Sequence, residues 1–125
     1  MNWNEMEIFK GIDLNDSFVM SWNRGTNDLA FEVEASIWPG SEYYEKPKNG
    51  EYTCYKPARL LFTNVKEVHG LLEIHQVKPS TDATGEKDYG NIDALQENIN
   101  GFVIEGDFGS VSIVGGVISF EIKET

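Results

Sequence analysis

The sequence predicts a single all-β domain, mainly antiparallel, with a short N-terminal helix. Much of the chain after residue 17 alternates apolar and polar side chains with a period of two. Turn-forming residues interrupt this alternation at short intervals. The 125 residues, 40% of them apolar, suffice for one core but not for two ordinary domains. Residues 1–125 are therefore expected to form about seven strands, as two packed sheets or a partly open barrel.

The N-terminal part is predicted to contain a helix at residues 5–10 and then a β-hairpin. Asn4 and Glu7 have the spacing of a capping box, and Gly11 stands where the helix can end. Residues 29–37 show the cleanest alternation in the chain, with an apolar side chain at every odd position. This pattern is typical of an antiparallel strand with one face in solvent.

The middle of the chain is predicted to hold a central strand. Residues 58–65 are apolar on both faces, as expected of a strand with neighbours on either side. Residues 66–77 would continue in extended form, with Gly70 as a bulge. Residues 78–89 have the composition of a mobile loop, and residues 92–98 are compatible with one helical turn or a short strand.

The C-terminal quarter is predicted to form hairpins. Residues 106–109 are turn formers, and Gly115-Gly116 is a two-residue hairpin signal. The apolar faces of all these strands predict the following core: Phe18, Met20, Trp22, Leu29, Phe31, Val33, Ile37, Leu60, Phe62, Leu72, Ile74, Phe102, Ile104, Val111, Ile113, Ile118, Phe120 and Ile122.

Charge and cysteine content limit the partners and the compartment. Twenty-one acidic residues oppose ten basic ones, a net charge of −11. This charge disfavours nucleic acid and anionic membranes and favours a basic partner. Cys54 is the only cysteine, and the N-terminal residues lack the pattern of a secretory signal. We therefore expect a cytoplasmic protein without disulfides; its oligomeric state is left open.

Catalytic and metal-binding patterns are weak. His69 and His75 each follow a glutamate by two residues, but in a continuous strand they would lie roughly 20 Å apart, too far for one ion. The tripeptide at residues 107–109 copies the metal-binding motif of protein kinases without the rest of the kinase signature. The chain is therefore expected to be non-enzymatic and to have no cofactor or metal site.

Residues 38–55 are the strongest candidate for a binding site. One tryptophan and four tyrosines lie in this segment among acidic residues. Tyrosine and tryptophan combine a large contact area with few rotatable bonds, which suits recognition. The same rings could instead fold back as a cover over the sheet. The candidate binding residues are Trp38, Glu42, Tyr43, Tyr44, Glu45, Glu51, Tyr52 and Tyr55.

Three segments resemble small bacterial β-domains of the immunity-protein type, which are encoded beside polymorphic toxins. They are Asp13-Leu14-Asn15-Asp16-Ser17-Phe18 at the first strand, Arg59-Leu60-Leu61-Phe62-Thr63-Asn64-Val65 in the middle and the hairpins of residues 101–120. The resemblance implies an inhibitor-like binding protein and transfers no catalytic residue.

Two functional hypotheses follow. The first is a non-catalytic, stoichiometric inhibitor of a basic bacterial toxin. The alternative is a β-domain that binds a small ligand or a carbohydrate through the aromatic segment 38–55.

Overall fold

The computed structural model describes residues 1–123 and confirms the all-β, mainly antiparallel class. Six strands form one sheet in the order β1-β2-β3-β8-β7-β6, and β4 and β5 form a separate ribbon. The large sheet curls into a half-barrel, which matches the partly open barrel among the predicted alternatives. The strands are β1 (Ile12–Arg24), β2 (Leu29–Ile37), β3 (Cys54–His69), β4 (Ser80–Thr81), β5 (Lys87–Asp88), β6 (Ile92–Asn98), β7 (Gly101–Gly106) and β8 (Gly109–Ile122).

The predicted N-terminal helix is wrong in type. The chain makes two 3-10 turns, Trp3–Glu5 and Glu7–Phe9, separated by the extended backbone of Met6. So short a segment gains too few hydrogen bonds to offset the cost of starting an α-helix. A third 3-10 turn spans Ile74–Gln76, and no helix in residues 1–123 is long and apolar enough to span a membrane.

Side-chain and backbone hydrogen bonds connect β1, at one edge of the large sheet, with the start of β6 at the other edge and with residues 89–91 just before it. The amide of Val19 donates to the carbonyl of Gly90 at 2.8 Å, and the amide of Tyr89 donates to the carbonyl of Val19 at 2.8 Å. Asn15 donates to the carbonyl of Ile92 at 2.8 Å, and Asn91 donates to the carbonyl of Ser17 at 2.9 Å. Backbone groups at both edges of the sheet therefore have partners along this seam.

Aromatic rings fill the centre of the core. Phe31 lies 4.8 Å from Phe108 and 6.4 Å from Phe62 between ring centroids. Phe62 in turn lies 5.2 Å from Phe102, and Trp22 lies 5.9 Å from Phe108. Phe108 was not predicted to be buried, because it occupies the two-residue turn between β7 and β8. Its ring is nevertheless fully buried, so the kinase-like tripeptide includes a core residue.

Bulges in β1 overturn part of the predicted core. Phe18 and Met20 were expected inside but are only half-buried, whereas Leu14 and Val19 are fully buried. The pairing of β1 with β2 shifts register between Asp13 and Phe18 and again beyond Val19. Each extra residue moves the following side chains to the opposite face of the sheet.

The prediction of a continuous strand over residues 66–77 is also wrong. β3 ends at His69, and the positive φ of 90° at Gly70 turns the chain away. Leu72 and Ile74, which were predicted to be in the core, are 41% and 36% exposed. Residues 78–89, predicted as a loop, contain the β4–β5 ribbon, and residues 92–98 prove to be strand β6.

The prediction of a hairpin at Gly115-Gly116 is wrong as well. β8 continues through both glycines, where their positive φ angles bend the strand, and it stays paired with β3. Beyond this bend β8 has β3 on one side and no longer pairs with β7. This one-sided cover explains why three predicted core residues are only half-buried: Ile118, Phe120 and Ile122. The other predicted core residues are buried.

Candidate binding surface

The structure distributes the aromatic residues of the segment 38–55 between cover and surface. Tyr43 and Tyr44 are half-buried and pack against the core, so this part of the segment covers the sheet. Tyr52 is 70% exposed. Tyr55 lies half-buried at the start of β3, and Trp38, just after β2, is 45% exposed. The segment is therefore in part a cover over the sheet and in part exposed, and a binding role for the exposed part stays a prediction.

The acidic candidates are also dispersed. Glu45 forms a 3.3 Å ion pair with Lys56. Glu42 lines a cleft with Tyr43 and Phe120. Glu45 and Glu51 both line a cleft with Tyr55, but only Glu51 also lines the neighbouring groove that Tyr55 shares with Phe18.

Asp16 ties the aromatic segment to the sheet. The hydroxyl groups of Tyr52 and Tyr55 both donate to its carboxylate, the latter at 3.1 Å. The two tyrosine rings are 6.1 Å apart, and the Tyr55 ring is 5.8 Å from that of Phe18. Burial and these hydrogen bonds raise the pKa of the Tyr55 hydroxyl, so both rings are held as neutral donors.

A groove with a partly apolar lining lies beside this cluster on the outer face of the half-barrel. Phe18, Glu34 and Pro57 are neighbours across β1, β2 and β3. The groove encloses about 480 Å³, with Met20 and Tyr55 completing its apolar lining. We call it the outer groove.

Carboxylates share the lining of the outer groove with the apolar side chains. They come from three parts of the chain: Glu34 on β2, Glu51 before β3, and Asp82, Glu86 and Asp88 in and around the ribbon. Lys48 is the one cation among the described lining residues. The groove therefore has a mixed apolar and acidic lining, in which Glu34 lies on the sheet between Phe18 and Pro57.

Two of these carboxylates have structural roles. Asp82 accepts hydrogen bonds from Thr84 and from the amide of Glu86, which closes the turn of the ribbon. Asp88 accepts a 2.8 Å bond from the amide of Gly90. These bonds shape the ribbon locally, whereas the backbone bonds of Val19 with Tyr89 and Gly90 hold the end of the ribbon beside β1.

Glu34 differs from these two, because it is half-buried and its carboxylate has no hydrogen bond or salt bridge within residues 1–123. Burial raises the pKa of its carboxyl group, and the negative charges of Glu86 and Glu51 raise it further against the opposing effect of Lys48. The ionised carboxylate is thus less stable here than in water. A desolvated carboxylate in a cleft is a common feature of functional sites.

The histidine–glutamate pairs do not converge. His69 lies 3.8 Å from Glu67 and His75 lies 3.3 Å from Glu73, all with mostly exposed side chains. The first pair lies at the end of β3 and the second on the 3-10 turn. Across residues 1–123, no three His, Cys, Asp or Glu side chains are arranged to hold a metal ion. Cys54 is buried.

Trp38 lines a separate, more open cleft beside the N-terminal 3-10 turns. Trp3, Phe9 and Asp13 share this cleft, which has a volume of about 730 Å³. The indole nitrogen of Trp38 donates to Ser36 at 3.0 Å, which fixes the orientation of the ring.

Sequence reasoning missed Phe18, Glu34 and Pro57 as neighbours in one groove. The alternation of residues 29–37 does place Glu34 on the solvent face, but only the bulged register of β1 puts Phe18 beside it. A scan against protein-family models found no match, and searches of curated proteins and of solved structures found no significant match. Function is therefore inferred from the outer groove and the charge distribution.

Proposed function

We propose that the protein is a non-catalytic binding protein that stoichiometrically inhibits a basic protein, in the manner of an immunity protein that neutralises a bacterial toxin. The observation that carries this proposal is the outer groove, which combines an apolar lining with five carboxylates. The net charge of −11 supports a basic partner.

The two parts of the groove would contribute differently to binding. Exposed carboxylates accelerate encounter with a positive surface, and salt screens this effect over about 8 Å at physiological ionic strength. The apolar lining of Phe18, Met20 and Tyr55 would be desolvated in the complex and slow dissociation. Among the predicted binding residues, Tyr52, Tyr55 and Glu51 lie in or next to this surface.

Co-expression with the product of the adjacent gene tests the function. We expect a 1:1 complex that abolishes the toxicity of that product. Absence of both a complex and protection would refute the inhibitory function.

Association kinetics test the surface. The triple variant Glu34→Gln, Glu51→Gln and Glu86→Gln should associate more slowly with the partner and show a weaker salt dependence. The control variant replaces three glutamates outside the groove and removes the same charge: Glu67, Glu97 and Glu105. Equal effects of the two triple variants would place the interface elsewhere.

A second candidate is carbohydrate or small-ligand binding in the cleft beside Trp38. The exposed indole next to Asp13 offers a stacking surface and a hydrogen-bonding carboxylate. Tyr43 and Tyr44 do not line this cleft. A change in tryptophan fluorescence on addition of a glycan from a panel would support this candidate if the change is lost in Trp38→Ala. No change with any glycan of the panel would count against it.

A further inference from the structure

We propose that the outer groove receives an arginine or lysine side chain carried by an extended, partly apolar segment of the partner protein, with Glu34 as the counter-ion. This inference rests on the proposed inhibitory function and specifies the chemistry of its partner.

Glu34 lacks a partner for its charge in the free protein. Glu34 lies between Phe18 and Pro57 across the strands and is half-buried, and its carboxylate has no hydrogen bond or salt bridge in the described chain. An ionised group in this position lacks part of its hydration and gains no compensating partner. A cation that enters the groove would supply that partner.

The composition of the groove indicates what kind of cation fits. Arginine and lysine carry a charged end on an apolar stem, and the stem packs well along an apolar surface. Phe18, Met20 and Tyr55 provide such a surface beside Glu34. The Tyr55 ring is held in place by its bond to Asp16, so little side-chain entropy remains to be lost there on binding.

The spacing of the carboxylates favours a protein segment over a single metal ion. The lining acids come from β2, from the segment before β3 and from the ribbon. Within residues 1–123 no three of them converge on one point where an ion could be held. Charges spread along a groove suit a chain with several cationic and apolar side chains on one face.

Fluorescence anisotropy with synthetic peptides tests the inference directly. The first probe contains the sequence glycine-arginine-glycine-leucine twice in succession. In an extended chain of roughly 26 Å, its arginine and leucine side chains then lie on one face. In the second probe serine replaces leucine, and in the third glutamate replaces arginine. We expect binding to the first probe, weaker binding to the second and none to the third.

The variant Glu34→Gln should weaken binding of the first probe about tenfold, the scale expected for losing a charged hydrogen bond. The control Glu97→Gln removes an exposed charge on β6 and should change the affinity less than about twofold. Glu34→Gln keeps the size of the side chain and relieves a buried charge, so the variant is expected to fold. Equal affinity of Glu34→Gln and the unaltered protein would overturn the inference, as would equal binding of the leucine and serine probes.

The partner protein separates this inference from the proposed function. If the adjacent gene product forms a protective complex and Glu34→Gln leaves the affinity of that complex unchanged, the inhibitory function stands and the arginine or lysine site is refuted. If no complex forms but the arginine–leucine peptide still depends on Glu34, the site stands and the inhibitory function is refuted.

Discussion

Replacing Phe108 with alanine should destabilise the fold severely, although Phe108 lies in a hairpin turn. The side chain is fully buried, 4.8 Å from Phe31 and 5.9 Å from Trp22 between ring centroids. A Cβ on Gly106 would lie only 2.5 Å from the Phe108 ring, which shows how closely the backbone packs against it. Removing the ring therefore leaves a cavity that its neighbours cannot easily fill.

The expected loss in the free energy of unfolding is about 3–5 kcal/mol, the range for truncating a buried phenylalanine. A domain of this size has a total stability of about 5–15 kcal/mol. With a urea m-value of about 1.5–2 kcal/mol/M, the unfolding midpoint should fall by roughly 2 M. Urea titration followed by tryptophan fluorescence measures this shift, and near-UV circular dichroism reports on packing around Trp22.

Two control variants distinguish ring packing from a general effect of mutation. Phe108→Leu keeps most of the volume and should cost less than about 1.5 kcal/mol. Ile99→Ala alters a fully exposed apolar side chain and should cost less than about 0.5 kcal/mol. If Phe108→Ala lowers the free energy of unfolding no more than Ile99→Ala does, the Phe108 ring does not contribute to the core.

Four further variants, one of them with a matched control, test the seam, the backbone and the charges. Asn91→Ala removes a hydrogen bond at the barrel seam and should cost about 1–2 kcal/mol while speeding amide exchange along β1. Gly70→Ala should lower the free energy of unfolding by more than about 2 kcal/mol, measured by urea titration, because its Cβ would lie 2.1 Å from a backbone oxygen. Its control, Gly50→Ala, is also at positive φ but has open space around it, and it should lower the free energy of unfolding by only about 1 kcal/mol. The pKa of Glu34 is raised in the folded protein, so Glu34→Gln should increase stability at pH 7 by up to about 1 kcal/mol, and the gain should vanish below pH 4.5. The pKa of Glu32 is lowered, so Glu32→Gln should reduce stability at pH 7 by less than about 1 kcal/mol, and this deficit should disappear as the pH falls from 4.5 through the folded-state pKa.

The opposite signs expected for Glu32 and Glu34 follow from their positions on one strand. Glu32 forms ion pairs with Arg59, at 2.8 Å, and with Lys123, which stabilise its charged form. Glu34, two residues further along the same face, has only the longer-range effect of Lys48 against two negative neighbours. A residue that costs stability in the free protein is a reasonable candidate for a role in binding.

Local periodicity was sufficient for the strands that are regular. In β2 every odd-numbered residue from Leu29 to Ile37 is buried, as the alternation predicts. Its neighbour β3 lies between β2 and β8, as predicted for a central strand, and its burial also alternates: Leu60 is buried, whereas Leu61 on the opposite face is half-buried. In these strands the side-chain period of two acts without interruption, so the pattern alone identifies the face that meets the core.

Periodicity failed where a long-range contact overrides it. The bulges of β1 put Phe18 on the outer face, and a turn buries Phe108. Neither result has a local signal, because a bulge depends on pairing with another strand and the burial of a turn residue depends on space left by distant side chains.

For the candidate site, the composition of the chain determined the acidic character, and the segment 38–55 already contained Glu51, Tyr52 and Tyr55. Only the tertiary structure brought Phe18, Glu34 and the ribbon residue Glu86 together, since they lie on three segments far apart in sequence. Their meeting depends on strand register and on the seam that anchors the ribbon to β1, which are properties of the folded sheet and not of any one segment.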